Sequence, residues 1–162
     1  MLGELPLGYY LAAAALGVVL KCLHRRDSMC FAAAYAVFLL SASVLSRSAG
    51  EEVRAQLLPF WSYAAGFRGD RGLLYQIAAN MLAFVPLGFA LFFTFGKKGL
   101  WAGAGLSCLI ELLQLVLRRG LFAFDDIFDN ILGLLIGYGL ALLMRTALQK
   151  LRSKGENNDK TQ

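Results

Sequence analysis

The stretch GLLYQIAANMLAFVPLGFALFFTF, Gly72–Phe95, decides the fold: it runs without one Asp, Glu, Lys or Arg. A spanning helix needs about 20 mostly apolar residues, and this stretch, Pro86 included, exceeds that. Moving outward, similar stretches occupy about Leu5–Leu23, Met29–Ser46, Gly99–Leu117 and Phe124–Met144. Five spans use most of a 162-residue chain and leave room only for loops. The expected fold class is therefore all-α, a polytopic transmembrane helical bundle of about five helices. Residues 1–150 form one domain, and the polar residues 151–162 form a disordered cytoplasmic tail.

Composition agrees. The chain is 58% apolar and 17% charged, with mean hydropathy +0.58. A soluble domain is about 45–50% apolar and about 25% charged. A secreted disulfide scaffold, a large soluble enzyme and a nucleic-acid binder are all disfavoured. The net charge of +5 and pI near 9.3 read as membrane topology. With the N-terminus outside, inside segments carry ten Lys and Arg residues and outside segments six. Positive-inside bias then gives a multi-pass membrane protein, N-terminus outside and C-terminus cytoplasmic. Cys22, Cys30 and Cys108 form no CxxC pair and are expected as free thiols, most simply buried filler.

The longest connection runs from Arg47 to Arg71. Ser48 and Glu51 have capping-box spacing there, and LLPFWSY (Leu57–Tyr63) suits an interfacial or partly re-entrant segment, with a plain loop as the alternative.

Polar residues inside spans face protein or water. Helical spacing puts Glu111, Gln114 and Arg118 on one stripe of the fourth span. Asp126, Asp129, Asn130, Gly133 and Gly137 share a face of the fifth, with Asp125 pointing away. The Gly133-x-x-x-Gly137 spacing lets another backbone approach that face. Gln76 and Asn80 share a face of the third span. A faint match between QIAANMLA (Gln76–Ala83) and DIFDNILG (Asp126–Gly133) puts Asn80 and Asn130 at similar depth. Glu111 lies about 10 Å below Arg118 at about 1.5 Å per residue. The three polar faces are expected to meet in a pocket open to the outside.

At these residues the sequence resembles the VanZ family of bacterial membrane proteins. The resemblance covers about 57–137 and rests on LLPF (Leu57–Phe60), NMLAFVPLGF (Asn80–Phe89), ELLQ (Glu111–Gln114) and DDIFDNILGLLIG (Asp125–Gly137), in the family's order and spacing. Asn80, Glu111, Gln114, Arg119, Asp126 and Asn130 match the family's recurrent polar positions. A further acid often stands three residues before the Asp matching Asp126; here that position is Ala123, and Asp125 is the candidate substitute. The resemblance implies an integral membrane protein, in a family whose founding member is associated with resistance to the lipoglycopeptide teicoplanin.

The leading expectation is a ligand site built from Asn80, Glu111, Gln114, Arg118, Arg119, Asp126, Asp129 and Asn130. It would take a lipid headgroup, a lipid-linked envelope precursor or an amphiphilic lipoglycopeptide. The arginines would meet phosphate or carboxylate, and the acids would meet amines or the arginines. Two alternatives stay open. One is a membrane-embedded acid/base enzyme, a transferase or hydrolase acting on a headgroup through Glu111 or Asp126. The other is a structural partner protein, with Glu111 paired to Arg118 or Arg119 and the asparagines as interhelical glue. No metal or cofactor is called for: GxSxG, HExxH and P-loop motifs are absent, and His24 reads as a solvated loop residue.

Overall fold

The computed structural model of the chain describes residues 25–45 and 54–159. Five helices fill them: α1 (Arg25–Leu40), α2 (Trp61–Phe67), α3 (Arg71–Phe95), α4 (Lys98–Val116) and α5 (Phe124–Asp159). A π-helical turn, Ser41–Leu45, extends α1. Four segments are long and apolar enough to cross a membrane: Arg26–Leu45, Arg71–Phe95, Lys98–Val116 and Phe124–Ser153. They coincide with the second to fifth expected spans. The first expected span, Leu5–Leu23, and the Ser48–Glu51 capping box lie outside the described residues. The backbone stays helical through to Asp159, including the stretch after Leu151 expected to be disordered.

Bilayer hydrocarbon gives helices no hydrophobic reason to associate, so close packing and interhelical hydrogen bonds must do it. The most extensive contact joins α3 and α5, which run parallel. A Cβ added at Gly133 would lie 1.9 Å from the Met81 carbonyl oxygen, and one at Gly137 2.0 Å from that of Val85. The two backbones touch along the expected Gly-x-x-x-Gly face, and no larger residue fits there. Since Gly133 faces Met81, Asn130 lies within a turn of the level of Asn80, as the faint repeat implies. The core combines Phe31, Tyr35 and Leu39 of α1 with Phe84 and Leu87 of α3, Ile110 of α4 and Leu134 of α5. The Tyr35 hydroxyl donates to the Ala83 carbonyl at 2.9 Å, which ties α1 to α3. Leu135, Ile136, Leu140, Leu142 and Leu143 are exposed along one flank of α5, the face expected toward acyl chains.

Two features exceed the expected bundle. Arg54–Gln56 and Leu121–Ala123 form a two-stranded parallel ribbon, β1 and β2, with Ala55 opposite Phe122. The LLPFWSY segment turns at Leu57–Phe60 and enters α2 at Trp61, beside the first turns of α3 and α5. The ribbon fixes where the chain enters both α2 and α5. Of the cysteines, Cys30 and Cys108 are free, as expected, yet exposed rather than buried.

Candidate functional site

The helix directions bring five segments to one end of the bundle: the π-turn after α1, helix α2, the start of α3, the end of α4 and the start of α5. Glu111, Asp125, Asp126 and Asp129 gather there, each at most 8% exposed. Acids in the first turn of a helix are favoured by its dipole, and Asp125 and Asp126 occupy that turn of α5.

Each carboxylate has a distinct task. Asp125 holds α2. Its Oδ1 accepts the Phe60 N–H at 2.5 Å, and its Oδ2 accepts the Ser62 N–H at 2.9 Å and the Ser62 hydroxyl at 2.6 Å. Phe60, the residue before α2, has left-handed φ 60° and gives no side-chain cap. The cap arrives instead from another helix. Asp125 does point away from the polar stripe of α5, as its spacing requires, but toward α2. Its carboxylate is engaged with that helix.

Asp126 holds α3. The Asn80 amide donates to its Oδ1 at 2.9 Å, and the Gln76 amide approaches both oxygens at 3.4 and 3.5 Å. Glu111 holds the ribbon, its Oε2 accepting the Ala123 N–H at 3.1 Å. Asp129 meets the Tyr63 hydroxyl of α2 through Oδ1. Its Oδ2 is buried with no hydrogen-bond partner, and so is the indole N–H of Trp61. Burial, helped by the hydrogen bond and charge of Asp129, pushes the Tyr63 phenol well above its ordinary value. Tyr63 is thus a neutral donor across the physiological range.

The amides extend the polar layer inward. The Asn130 amide donates to the Ser107 hydroxyl at 3.1 Å, and the Gln114 amide to the Ser43 carbonyl at 3.0 Å. Asn130 Oδ1, Gln114 Oε1 and the Ser43 hydroxyl keep no hydrogen-bond partner.

The arginines behave differently from the expected stripe. Helix α4 stops at Val116, and Arg118 lies beyond it with φ 52° and an exposed side chain. A residue outside the helix cannot continue its stripe; Ser107, one turn deeper than Glu111, takes that place. Arg119 turns to α1 and donates to the Leu45 carbonyl at 3.0 Å. Of the eight expected site residues, Asn80, Glu111, Gln114, Asp126, Asp129 and Asn130 are buried at this end, and the arginines form its rim.

Sequence reasoning missed Tyr63, Ser62 and the capping role of Asp125. The signal for Tyr63 was its place in LLPFWSY, whose interfacial reading left open that its hydroxyl turns inward to Asp129. Among the described residues, no three acids, histidines or cysteines are grouped to hold a metal ion.

A family model described as VanZ/LLP1 matches residues 28–145, well over half of the chain. No curated protein matches, and no solved structure does. The matched region takes in most of α1 and both strands as well as the motifs of the polar end.

Proposed function

The chain belongs to the VanZ/LLP1 family, and from that premise we propose that its α2 end binds the polar headgroup of an amphiphile in the outer leaflet. The ligand class is a lipid, a lipid-linked envelope precursor or a lipoglycopeptide. The family resemblance makes glycopeptide resistance, teicoplanin included, the natural setting. The orientation in this reading is N-terminus outside and C-terminus cytoplasmic, on the strength of the charge count.

One observation carries the reading: Asp129 is wholly buried and holds an oxygen without a partner. A buried unsatisfied polar group costs about 1–3 kcal/mol, more when charged. An ammonium or hydroxyl donor on a ligand would relieve that cost. The unpartnered Trp61 N–H offers a donor on the facing helix, and Arg118 and Arg119 offer cations at the rim. Donor, acceptor and cation together suit a zwitterionic headgroup. Glu111 and Asp125 already accept backbone hydrogen bonds and are better suited to holding the site's walls.

The test is binding of teicoplanin, and separately of phosphatidylethanolamine, to the purified full chain in phosphatidylcholine nanodiscs. Asp129→Asn keeps an acceptor for Tyr63 and removes the charge. A charge-assisted hydrogen bond contributes about 1.5–3 kcal/mol, so the variant should bind about 10- to 150-fold more weakly. Equal binding by wild type and variant, or no binding of either probe, refutes the reading. Turnover of the headgroup that depends on Glu111 or Asp126 would replace it with the acid/base enzyme.

A further inference from the structure

The opposite end of the bundle carries a second, differently built feature. An open cavity of about 610 Å³ lies where α3 turns into α4 against α5. Phe92, Phe93 and Phe95 line it together with Lys98 and Arg145. Ligand cavities span about 300–1,000 Å³, so this one can take a headgroup and the start of an acyl chain.

Its walls are sorted by chemistry. Phe92 and Phe93 pack edge to face, centroids 4.8 Å apart, and Tyr138 of α5 closes on Phe92 at the same distance. That makes a rigid aromatic wall. Lys98 and Arg145 bring two positive charges, both on exposed side chains. No side chain caps the first turn of α4, so the positive end of that helix faces the same region.

Three sequence and structural markers suit this cavity to one boundary of the hydrocarbon core. The α3 span ends at Phe95 and the α4 span begins at Lys98. Arg145 stands about 32 Å along α5 from Phe124 at about 1.5 Å per residue, close to the thickness of the hydrocarbon core. Trp101, one turn into α4, is 82% exposed, the amphipathic ring expected at headgroup level. Cations therefore lie level with lipid phosphates while the phenylalanines lie level with the first methylenes.

We propose that this cavity is a binding site for an anionic phospholipid, with Lys98 and Arg145 on the phosphate and the Phe92–Phe93–Phe95 wall along the chain. Basic pockets between transmembrane helices hold such headgroups. On the orientation given above, the lipid belongs to the cytoplasmic leaflet. The site is separate from the acid-lined end and does not depend on what binds there.

Native mass spectrometry of the full chain in detergent, titrated with phosphatidylglycerol or phosphatidylcholine, tests it. Wild type should take up phosphatidylglycerol about tenfold more tightly than phosphatidylcholine. The pair Lys98→Gln and Arg145→Gln should abolish that preference. The pair Lys150→Gln and Arg152→Gln removes the same charge further along α5 and should leave the preference intact. All four residues are exposed, so folding is not at stake. The proposal fails if wild type shows no preference, or if both pairs lose it equally. It also fails if glycerol phosphate binds as tightly as the lipid, which would make this a site for soluble phosphate.

Discussion

Replacing Asp125 with Asn should loosen α2 without unfolding the bundle. The carboxylate serves three donors: the Phe60 N–H, the Ser62 N–H and the Ser62 hydroxyl. Asparagine keeps one acceptor oxygen and turns an NH2 group toward at least one of those donors. Losing one charge-assisted bond removes about 1.5–3 kcal/mol, and leaving a buried N–H opposed costs about 1–3 kcal/mol more. The sum is about 2.5–6 kcal/mol. Helix α2 has 7 residues, far below the about 12–15 at which an isolated helix becomes even marginal. It has no intrinsic stability to absorb the loss. At about 1.4 kcal/mol per tenfold, hydrogen exchange of the amides of residues 60–63 should accelerate at least about 50-fold in nanodiscs. Exchange in the middle of α3 and α5 should change little, because local opening need not be global. The comparator is Asp126→Asn, which weakens the contacts to Asn80 and Gln76 of α3. Unchanged exchange at 60–63 in Asp125→Asn, or equal acceleration in both variants, would refute the assignment of Asp125 as the cap of α2.

Two further outcomes follow from other contacts. Gly137→Val puts a side chain where even a Cβ lies 2.0 Å from the Val85 carbonyl oxygen, so α3 and α5 must separate; overpacking of this kind costs about 1–3 kcal/mol or more. Thermal unfolding in detergent should fall by several degrees for Gly137→Val and not for Gly139→Ala, whose added Cβ meets nothing within 4 Å. The Tyr63 phenol is raised mainly by burial, then by Asp129. A raised pKa means its contribution is complete below the unfolded value of about 10 and is lost only as pH climbs through the higher folded value. At about pH 11, where an ordinary phenol is about nine-tenths ionised, wild type and Tyr63→Phe should show nearly the same tyrosinate absorbance; about one tyrosinate fewer in the variant would contradict it.

The spans were legible because hydrophobic length is a one-dimensional property: a charge-free stretch after Arg71 marks α3, and one between Lys98 and Arg118, broken only by Glu111, marks α4 almost to the residue. The polar faces were legible too, since a helix fixes the angle between Asp126, Asp129 and Asn130. The ribbon was not. Strands of three residues, RAQ and LFA, are too short to display the alternation that identifies a strand. Without the ribbon there was no way to know that α2 folds against the start of α5, and hence that Asp125 had a partner. Arg118 misled for a related reason. Helical spacing carries information only while the helix lasts, and α4 ends at Val116.

The four buried acids divide into two groups by the kind of donor they meet. Asp125 and Glu111 take backbone N–H groups of Phe60, Ser62 and Ala123, at places where the chain enters a short helix or leaves a three-residue strand. Those N–H groups have no helix of their own to bond to, and unsatisfied backbone is intolerable at membrane depth unless protein surrounds and pairs it. These acids make irregular structure possible at this end. Asp126 and Asp129 meet side chains instead, from Asn80 and Gln76 and from Tyr63. Side-chain partners can rotate away at modest cost, whereas backbone donors cannot. Exchange of a protein contact for a ligand contact is therefore easiest at Asp126 and Asp129, and Asp129 alone of the two has an oxygen recorded without a partner. The same logic explains why LLPFWS (57–62) and DDIFDN (125–130) stand so far apart in the chain yet act as one unit: the first supplies the N–H groups that Asp125 holds, and the same short helix carries Tyr63 to Asp129.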